Sequence, residues 1–454
     1  MSRSVLRTLL LTSTLIVSGA AVAIAETAWI GAPSTIKGSL RAGTREAPVQ
    51  PGDETVLTVR NLKPGATITV VRGSELLTPQ QLAVDEKGAV DVPIKVPADA
   101  EIGLHPLTVI SHNPPGVMLV NLKLSKVVPA SNEGAYAVTS AEVGERAYQS
   151  ALSKDGKLFV ASARGRNEES RLLRLNAETL EVEAEAKLAA SADPKDGLID
   201  VFGVGVDDAN GRVWTTNTLN NTVTVYDAGD LSPIKVFEEG SIAHPRDVVI
   251  DQANGRAYVN AALTGAVEVY DSKTLEHVDT LHFDAAAGRA IFGTVSLDLD
   301  EKAGRLYSVS RDTPWVGWID LKTGKSTAFE VPQMSGGTAI AHDPETGRMY
   351  VASQDSDNLI VLDSEGRVLA DTYIGAGGLG VAWDPATKRV YAATRAGGTV
   401  AVLDSDGKMV ANLPLGDLPN HLTAGPDGAV YAVAMYGPKD DDQSGSVSRI
   451  TPKK

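Results

Sequence analysis

The sequence contains no cysteine in 454 residues. This absence excludes disulfide bonds, thiolate metal sites, thiol catalysis and the Cys-x-x-Cys-His motif that attaches haem. The seven histidines also lack the H-x-H or H-E-x-x-H spacing of a metal site. We therefore predict neither a metal nor another cofactor.

A long apolar run occurs only at the N-terminus. Arg3 and Arg7 precede the run LLLTSTLIVSGAAVAIA. Its last residues, Ala23-Ile24-Ala25, fit an A-x-A cleavage site. We expect residues 1–25 to be a signal peptide cleaved after Ala25, and the protein to be periplasmic, where cysteine-free folds are common. No later run approaches the roughly 20 apolar residues of a membrane helix, so we expect no membrane span in the mature form.

Positive charge is scarce, since 42 Lys and Arg face 57 Asp and Glu for a net charge of -15. Removing the signal peptide would remove two more arginines. Such a surface disfavours non-specific binding to DNA or anionic lipid over most of its area. No nucleophile, acid-base pair or metal set stands out either, which favours a binding protein over an enzyme.

Seven copies of one pattern fill the chain from about residue 151 to residue 450. Each copy alternates apolar and polar residues on both sides of a Gly-containing turn, as in GVGVDDANGRVWTTNTLNNTVTVYD at 203–227. One aromatic residue anchors each copy, and these anchors lie 40 to 55 residues apart: Phe159, Trp214, Tyr258, Tyr307, Tyr350, Tyr391 and Tyr431. Four short strands per period of this length predict β-propeller blades, and the β-branched alternation argues against a helical solenoid.

The two ends of the repeat region predict a closed ring. The seventh copy ends at Ile450, too near the C-terminus to supply a fourth strand, whereas a spare strand-like run, 135–144, precedes the first copy. We predict that this run completes the seventh blade and so removes an exposed sheet edge. The propeller then spans residues 135–454.

Aspartates recur at the end of the third strand in five copies, at Asp227, Asp271, Asp320, Asp363 and Asp404. Because each precedes a turn, where Asp accepts backbone hydrogen bonds, we interpret them as turn residues and not as a carboxylate array. The run 440–442 lacks the spacing of a calcium loop, so we interpret it as a solvated loop.

Residues 26–128 have a different sequence pattern. Five strand-like runs are separated by the turns KPGA, DEKGA and HNPPG, without a copy of the blade pattern. This spacing predicts a small immunoglobulin-like β-sandwich, followed by a linker at 129–134. Such modules are usually spacers or docking surfaces, which suggests a protein partner for this domain.

The blade core resembles the YVTN-repeat propellers of the YncE-like periplasmic proteins. The resemblance rests on VWTTNTLNNTVTVYD (213–227), AYVNAALTGAVEVYD (257–271) and MYVASQDSDNLIVLD (349–363), and it covers roughly 320 residues. It implies the repeat type and an exported protein, and some relatives are said to bind single-stranded DNA. Lactonases and the heavy subunits of quinone-dependent amine dehydrogenases share the architecture, so the resemblance does not specify a function.

A candidate site follows from the propeller geometry. The loops that lead into the innermost strands and those that join the second and third strands share one face, around the mouth of the central channel. Those loops also contain Phe202 and Tyr436, and the residues that we predict to bind a ligand are Arg146, Tyr148, His244, Arg246, Arg289, Arg311, Trp315, Arg395 and His421. Arginine grips carboxylate or phosphate, and aromatic faces stack on planar groups.

Two interpretations of these residues stay open at this point. The arginines either bind an anionic metabolite, single-stranded nucleic acid or a protein partner at the channel mouth, or pair with Asp247, Asp312, Glu168 or Glu169 and tie blades together. His244 and His421 are equally compatible with loop packing. A lactonase-like or other hydrolase acting at the same mouth is the alternative function, and we expect a monomer.

Overall fold

A computed structural model describes residues 34–43, 47–165, 169–195, 197–262, 264–284, 291–416, 418–436 and 445–453. These residues form strands, turns and one short 3-10 helix, Glu133–Ala135. The described residues divide into two compact units: those up to Arg41 with Val56–Pro93 and Pro106–Leu122, and Ala42–Thr55 with Ile94–His105 and those from Lys123 onward. No helix in the described ranges is long and apolar enough to cross a membrane.

The N-terminal strands form two small sheets. In the first, the strand order is Ser34–Thr35, Pro115–Leu124, Gly103–His112, Thr67–Arg72 and Glu75–Leu76, and Leu82–Ala83 also pairs with Thr67–Arg72. In the second, the order is Ser39–Ala42, Glu54–Arg60 and Val90–Lys95. Buried and exposed residues alternate along Glu54–Arg60, where Leu57 and Val59 are buried, as expected for a strand with one face in a core.

The remaining strands form seven four-stranded antiparallel sheets within the described residues. We call these sheets blades 1 to 7 and letter their strands A to D across each sheet. The A strands are Ala147–Leu152, Val204–Asp207, Pro245–Asp251, Thr294–Asp300, Gly337–His342, Gly378–Asp384 and Pro419–Ala424. The B strands are Lys157–Ser162, Arg212–Asn217, Arg256–Ala261, Arg305–Ser310, Met349–Ser353, Arg389–Thr394 and Val430–Ala434.

The outer strands complete each blade. The C strands are Arg171–Asn176, Thr222–Asp227, Ala266–Asp271, Trp315–Asp320, Asn358–Leu362, Thr399–Asp404 and Gly445–Pro452. The D strands are Val182–Glu185, Pro233–Val236, His277–His282, Lys325–Glu330, Val368–Tyr373, Met409–Pro414 and Tyr136–Gly144. Each anchoring aromatic predicted from the repeat lies on a B strand and is buried.

The blades close into a ring around a channel. Each A strand contacts the A strands of the two neighbouring blades, and the A strand of blade 7 contacts that of blade 1. A cavity of about 460 Å³ is lined by residues from all seven A strands. Repeated four-stranded sheets around a central channel are the β-propeller architecture that the repeats predicted.

The last blade joins the two ends of the repeat region, as predicted. Tyr136–Gly144 pairs antiparallel with Gly445–Pro452, and Ser140 lies opposite Ser448 with their hydroxyl oxygens 2.8 Å apart. Ile450, next to this pair, is fully buried in the core that blades 6 and 7 share. The ring therefore closes through a strand that is distant in sequence.

The aspartates at the ends of the C strands are turn residues. In blade 3, one oxygen of Asp271 accepts the N–H groups of Lys273 at 3.0 Å and Thr274 at 2.8 Å. The corresponding aspartates of four other blades accept backbone N–H groups in the same way. This confirms the interpretation from sequence, whereas the run 440–442 lies outside the described residues.

The closing strand pair is testable because the chain has no native cysteine. In a Ser140→Cys/Ser448→Cys variant, the only possible intramolecular disulfide links the strand before blade 1 to the last strand of blade 7. We expect it to form under mild oxidation and to raise the free energy of unfolding by about 3 to 5 kcal/mol over the reduced form, since it closes a very long loop. Mass spectrometry and urea unfolding measure both effects.

Each single-cysteine variant serves as the control and should show no such gain on oxidation. If the double variant stays reduced under conditions that oxidise an exposed dithiol, Ser140 does not lie opposite Ser448 in solution.

Candidate functional site

One face of the ring, which we call the mouth face, contains the starts of the A strands and the loops between the B and C strands. The opposite face, the turn face, contains the A–B and C–D turns. This division follows from the antiparallel order A-B-C-D in every blade. The sequence-predicted residues lie on the mouth face when they precede an A strand or follow a B strand.

Arg146 connects blades 7 and 1 on the mouth face. Its backbone has a positive φ of 56°, and its N–H donates to the carbonyl of Met435 at 2.9 Å. Its guanidinium Nη1 donates to the carbonyl of Arg164 at 2.7 Å. These two bonds fix the backbone and one end of the side chain, so the guanidinium is held in place at the edge of the channel mouth.

An aromatic pair lies beside this arginine. The ring of Tyr148 meets the ring of Phe202 edge-to-face, with centroids 5.1 Å apart. The guanidinium carbon of Arg246 lies 5.9 Å from the centroid of the Tyr148 ring, within cation–π range. Tyr148 of blade 1 and Arg246 of blade 3 thus lie side by side, and the buried ring of Phe202 from blade 2 supports Tyr148.

Arg395 approaches the same place from blade 6. Its Nη2 lies 2.9 Å from the sulfur of Met435. Burial lowers the pKa of the Arg395 guanidinium, and the positive charges of Arg246 and Arg146 lower this pKa further, while Tyr148 and Tyr436 raise it. Residues of blades 1, 3, 6 and 7 are therefore close enough to act on one another across the mouth.

We call Arg146, Arg246 and Arg395 the arginine cluster. Within the described part of the chain, none of the three forms an ion pair with a carboxylate. The arginine that does pair with acidic residues is Arg164, which lies 3.2 Å from Asp200 and 3.6 Å from Glu169. The cluster consequently concentrates positive charge on an acidic protein, and the carboxylates of Asp200 and Asp247 act on it without forming a direct ion pair.

His244 and Arg311 also lie on the mouth face but have their own partners. The N–H of His244 donates to Asn221 at 2.7 Å, and burial together with nearby Arg246 lowers the pKa of its imidazole. Nη1 of Arg311 donates to the side-chain oxygen of Gln354 at 2.7 Å, which links the loops of blades 4 and 5. Arg289 lies outside the described residues.

Two predicted residues lie away from the mouth. Trp315 is only 7% exposed and packs with Tyr258, Phe292 and other apolar residues, because it begins a C strand whose ring points between blades. It is a core residue and leaves the candidate set. His421 lies inside the channel and lines the cavity, and its Nδ1 accepts the N–H of Ser150 at 3.4 Å.

Acidic residues deeper in the channel bridge neighbouring A strands. The buried carboxylate of Asp247 accepts the N–H of Leu297 at 2.8 Å, and burial raises the pKa of this carboxyl to about 6. Asp298 accepts both the N–H of His342 at 2.7 Å and its Nδ1 at 2.6 Å. Sequence reasoning considered Asp247 only as a partner for Arg246 and missed this bridging role.

Asp200 is the other residue that sequence reasoning missed. It lies in the loop that leads into strand A of blade 2, two residues before Phe202, and its side chain is almost completely buried. Its sequence signal was a charged residue inside the apolar run LIDVFGVGV. Among the described residues there is no group of three or more His, Asp or Glu side chains that could hold a metal ion.

Comparison with known proteins assigns the fold and no family. No family model matches the sequence, and no curated protein is significantly similar to it. Virginiamycin B lyase from Staphylococcus aureus superposes with a TM-score of 0.57 at 12% identity, over 70% of this chain and 100% of that one. The RRP9 WD40 repeats give 0.57 at 11% identity, over 72% of this chain and 100% of that one.

The chain has a β-propeller fold. A third solved structure, Kuenenia stuttgartiensis hydrazine synthase, superposes with a TM-score of 0.53 at 17% identity, over 67% of this chain and 96% of that one. These proteins have unrelated activities on similar frameworks, as is usual for widespread folds. At such low identities the function has to be argued from the mouth of this propeller itself.

The channel histidine gives a testable pH dependence. Burial lowers the pKa of His421 to about 4 from the 6.5 of the unfolded chain. The unfolded chain therefore binds a proton below pH 6.5 that the folded chain does not bind until about pH 4. The stabilising contribution of neutral His421 is complete above pH 6.5 and is lost as the pH falls to 4.

We expect a His421→Asn variant, which keeps an acceptor for Ser150, to lose less stability than the native protein between pH 6.5 and 4. The difference is at most about 1.4 kcal/mol per pH unit in urea unfolding. His282→Asn on an exposed D strand is the matched control. If the free energy of unfolding depends on pH in the same way for the native protein and His421→Asn, the pKa of His421 is not lowered, which means that water in the channel hydrates this imidazole.

Proposed function

We propose that this protein binds a ligand with several negative charges at the mouth face of its propeller. The observation that carries the proposal is the arginine cluster, in which Arg146, Arg246 and Arg395 converge without a carboxylate partner among the described residues. Like charges held together in a partly buried place repel one another and lose hydration. An anionic ligand would remove both costs.

The contacts around the cluster favour a planar ligand. Tyr148, which packs on the buried ring of Phe202, offers aromatic surface beside the guanidinium of Arg246, and Tyr436 lies near Arg395. Guanidinium groups bind carboxylate, sulfonate or phosphate oxygens in bidentate fashion, and rings stack on planar groups. A small aromatic or conjugated polyanion uses both features, and single-stranded nucleic acid combines the same chemistry along a strand.

We also propose a specific propeller type, a role for the N-terminal domain and a cellular location. We propose that the seven described sheets form a seven-bladed propeller of the YVTN type, because the repeat sequences resemble the YncE-like proteins, and that the two N-terminal sheets form an immunoglobulin-like domain that docks a protein partner. The N-terminal apolar run supports export to the periplasm. A periplasmic propeller without cysteine would meet its ligand outside the cytoplasm.

A lactonase-like or other hydrolase remains the alternative function at the same mouth. Virginiamycin B lyase shows that an enzyme can use this fold, but the likeness extends to the fold alone. Hydrolysis needs a base or a metal near the bound substrate, and His244 is the histidine at the mouth. Loss of turnover but not of binding in a His244→Gln variant would support the enzyme.

The binding proposal is tested with naphthalene-1,3,6-trisulfonate, a planar trianion that does not titrate near neutral pH. We expect isothermal titration calorimetry to show binding, and Arg246→Gln and Arg395→Gln each to weaken it roughly 10- to 100-fold, because each removes a charge-assisted contact. The matched control is Arg367→Gln on the turn face, where Arg367 pairs with Asp363 at 2.6 Å. Its affinity should equal that of the native protein.

The same variants identify the class of anion. With oligothymidylate, the logarithm of the affinity should fall with the logarithm of the salt concentration by about 0.7 for each phosphate contacted. A steep slope with tighter binding than the trisulfonate would identify nucleic acid as the ligand. If all three variants bind like the native protein, the mouth is not the binding site.

Export is tested by the mass of the protein purified from cells. We expect an intact mass that corresponds to residues 26–454, because cleavage follows Ala25. An Ala23→Arg/Ala25→Arg variant, which removes the small residues of the cleavage site, should retain the N-terminal segment. A native mass that still begins at residue 1 would contradict the signal peptide.

A further inference from the structure

Asp200 is buried at the mouth face without a hydrogen bond to its carboxylate. The residue is 1% exposed, and neither carboxylate oxygen accepts a hydrogen bond within the described residues. Its backbone is well held, since its N–H donates to Asn220 at 3.1 Å and its carbonyl accepts from Asn217 at 2.8 Å. The backbone of Asp200 is thus fixed, while its carboxylate forms no hydrogen bond in the described part of the chain.

Burying a carboxylate in this way is costly unless an opposite charge is near. The nearest cationic group is the guanidinium of Arg164, whose Nη2 lies 3.2 Å from Oδ1 of Asp200. That same Nη2 also donates to the carbonyl of Leu198 at 2.9 Å. Asp200 and Arg164 therefore form an ion pair in which the guanidinium is shared between the carboxylate and a backbone carbonyl.

Asp200 is also coupled to the arginine cluster. Arg146, whose Nη1 donates to the carbonyl of Arg164, is close enough to lower the pKa of Asp200, and Arg146 in turn lowers the pKa of Arg395. A chain of charges therefore runs from Asp200 in blade 2, through Arg164 and Arg146 in blade 1, to Arg395 in blade 6. An anion that binds to the cluster acts on Asp200 through this chain.

We infer that Asp200 is the internal counter-ion of the mouth, which competes with the ligand's negative charge and takes up a proton when the ligand binds. The inference rests on the proposed function, because it needs an anion at the arginine cluster. It adds a regulatory property to that site: ligand binding is coupled to pH. In acidic surroundings the counter-ion is neutral and the mouth binds its anion more tightly.

The charged groups that face Asp200 determine the direction of this coupling. Burial raises the pKa of Asp200; Arg164 and Arg146 lower it, and Glu169 raises it. The groups that blade 2 contributes, Asn217 and Asn220, are neutral. A bound anion offsets the two arginines, so the pKa of Asp200 is higher in the complex than in the free protein, and affinity must rise as the pH falls between these two values.

The experiment measures binding of naphthalene-1,3,6-trisulfonate to the full mature protein between pH 5 and 8, by calorimetry in buffers with different ionisation enthalpies. We expect uptake of a fraction of one proton for each ligand bound. The affinity should rise by up to about tenfold per pH unit towards acid, the limit for one coupled proton. The probe has no titrating group in this range, so the proton belongs to the protein.

Asp200→Asn should bind several-fold more tightly at pH 7.5, without proton uptake and with an affinity independent of pH. Asp247 is a second buried carboxyl that interacts with Arg246, so Asp247→Asn is the matched control and should keep the coupling of the native protein. Infrared difference spectra of the native protein provide a measurement without substitution: ligand binding should produce the band of a protonated carboxyl group, absent in Asp200→Asn.

The possible results separate the two proposals. Tight binding to the native protein without proton uptake or a carboxyl band would overturn the role of Asp200 and leave the mouth as the binding site. Coupling that disappears in Asp247→Asn or in His244→Gln but persists in Asp200→Asn would also overturn it. Absence of binding to both the native protein and Asp200→Asn would overturn the binding function and the counter-ion together.

Discussion

The pairing of Tyr136–Gly144 with Gly445–Pro452 is the interaction on which the rest of the structure depends. A ring of sheets has no stable end, because an open first or last blade exposes both an apolar face and an unpaired strand edge. The strand from the start of the ring covers the last blade, and Ile450 beside it is fully buried between blades 6 and 7. Closure also fixes the distance between Arg146 of blade 1 and Met435 of blade 7, which are hydrogen bonded.

Closure alone would leave the starts of the A strands loosely placed. Buried side-chain amides and hydroxyls bind three of these starts to the neighbouring blade: Asn260 donates to Thr294 at 3.1 Å, Thr338 to Gly378 at 3.0 Å and Asn420 to Tyr148 at 2.6 Å. Each A strand lies at the edge of its four-stranded sheet and has no further strand to pair with. These bonds therefore satisfy backbone carbonyls that would otherwise lack a donor. The loops at the mouth are therefore built on a hydrogen-bonded collar, which makes a preorganised binding surface physically possible.

Features that depend on residues close together in the chain could be predicted from the sequence, whereas features that depend on contacts between blades could not. The blade strands and the turn role of Asp271 depend on neighbours a few residues away, so periodicity predicted them, and the closing strand could be predicted by counting strands. Trp315 was misplaced because a loop residue and the first residue of a strand look alike in a sequence. The bridging role of Asp247 depends on Leu297 of the next blade, a contact that no local pattern encodes.

The mouth combines charges in a way that a purely structural role does not explain. Arginines that tie blades together would be expected to pair with acids, as Arg164 does with Glu169 and Asp200, yet Arg146, Arg246 and Arg395 do not pair in this way within the described chain. The protein has an excess of carboxylates and could have supplied partners anywhere. Mutual repulsion and partial burial make the free mouth less stable than a neutral one would be. Destabilisation by like charges at the opening of a channel is typical of a binding site in which the ligand supplies the opposite charge.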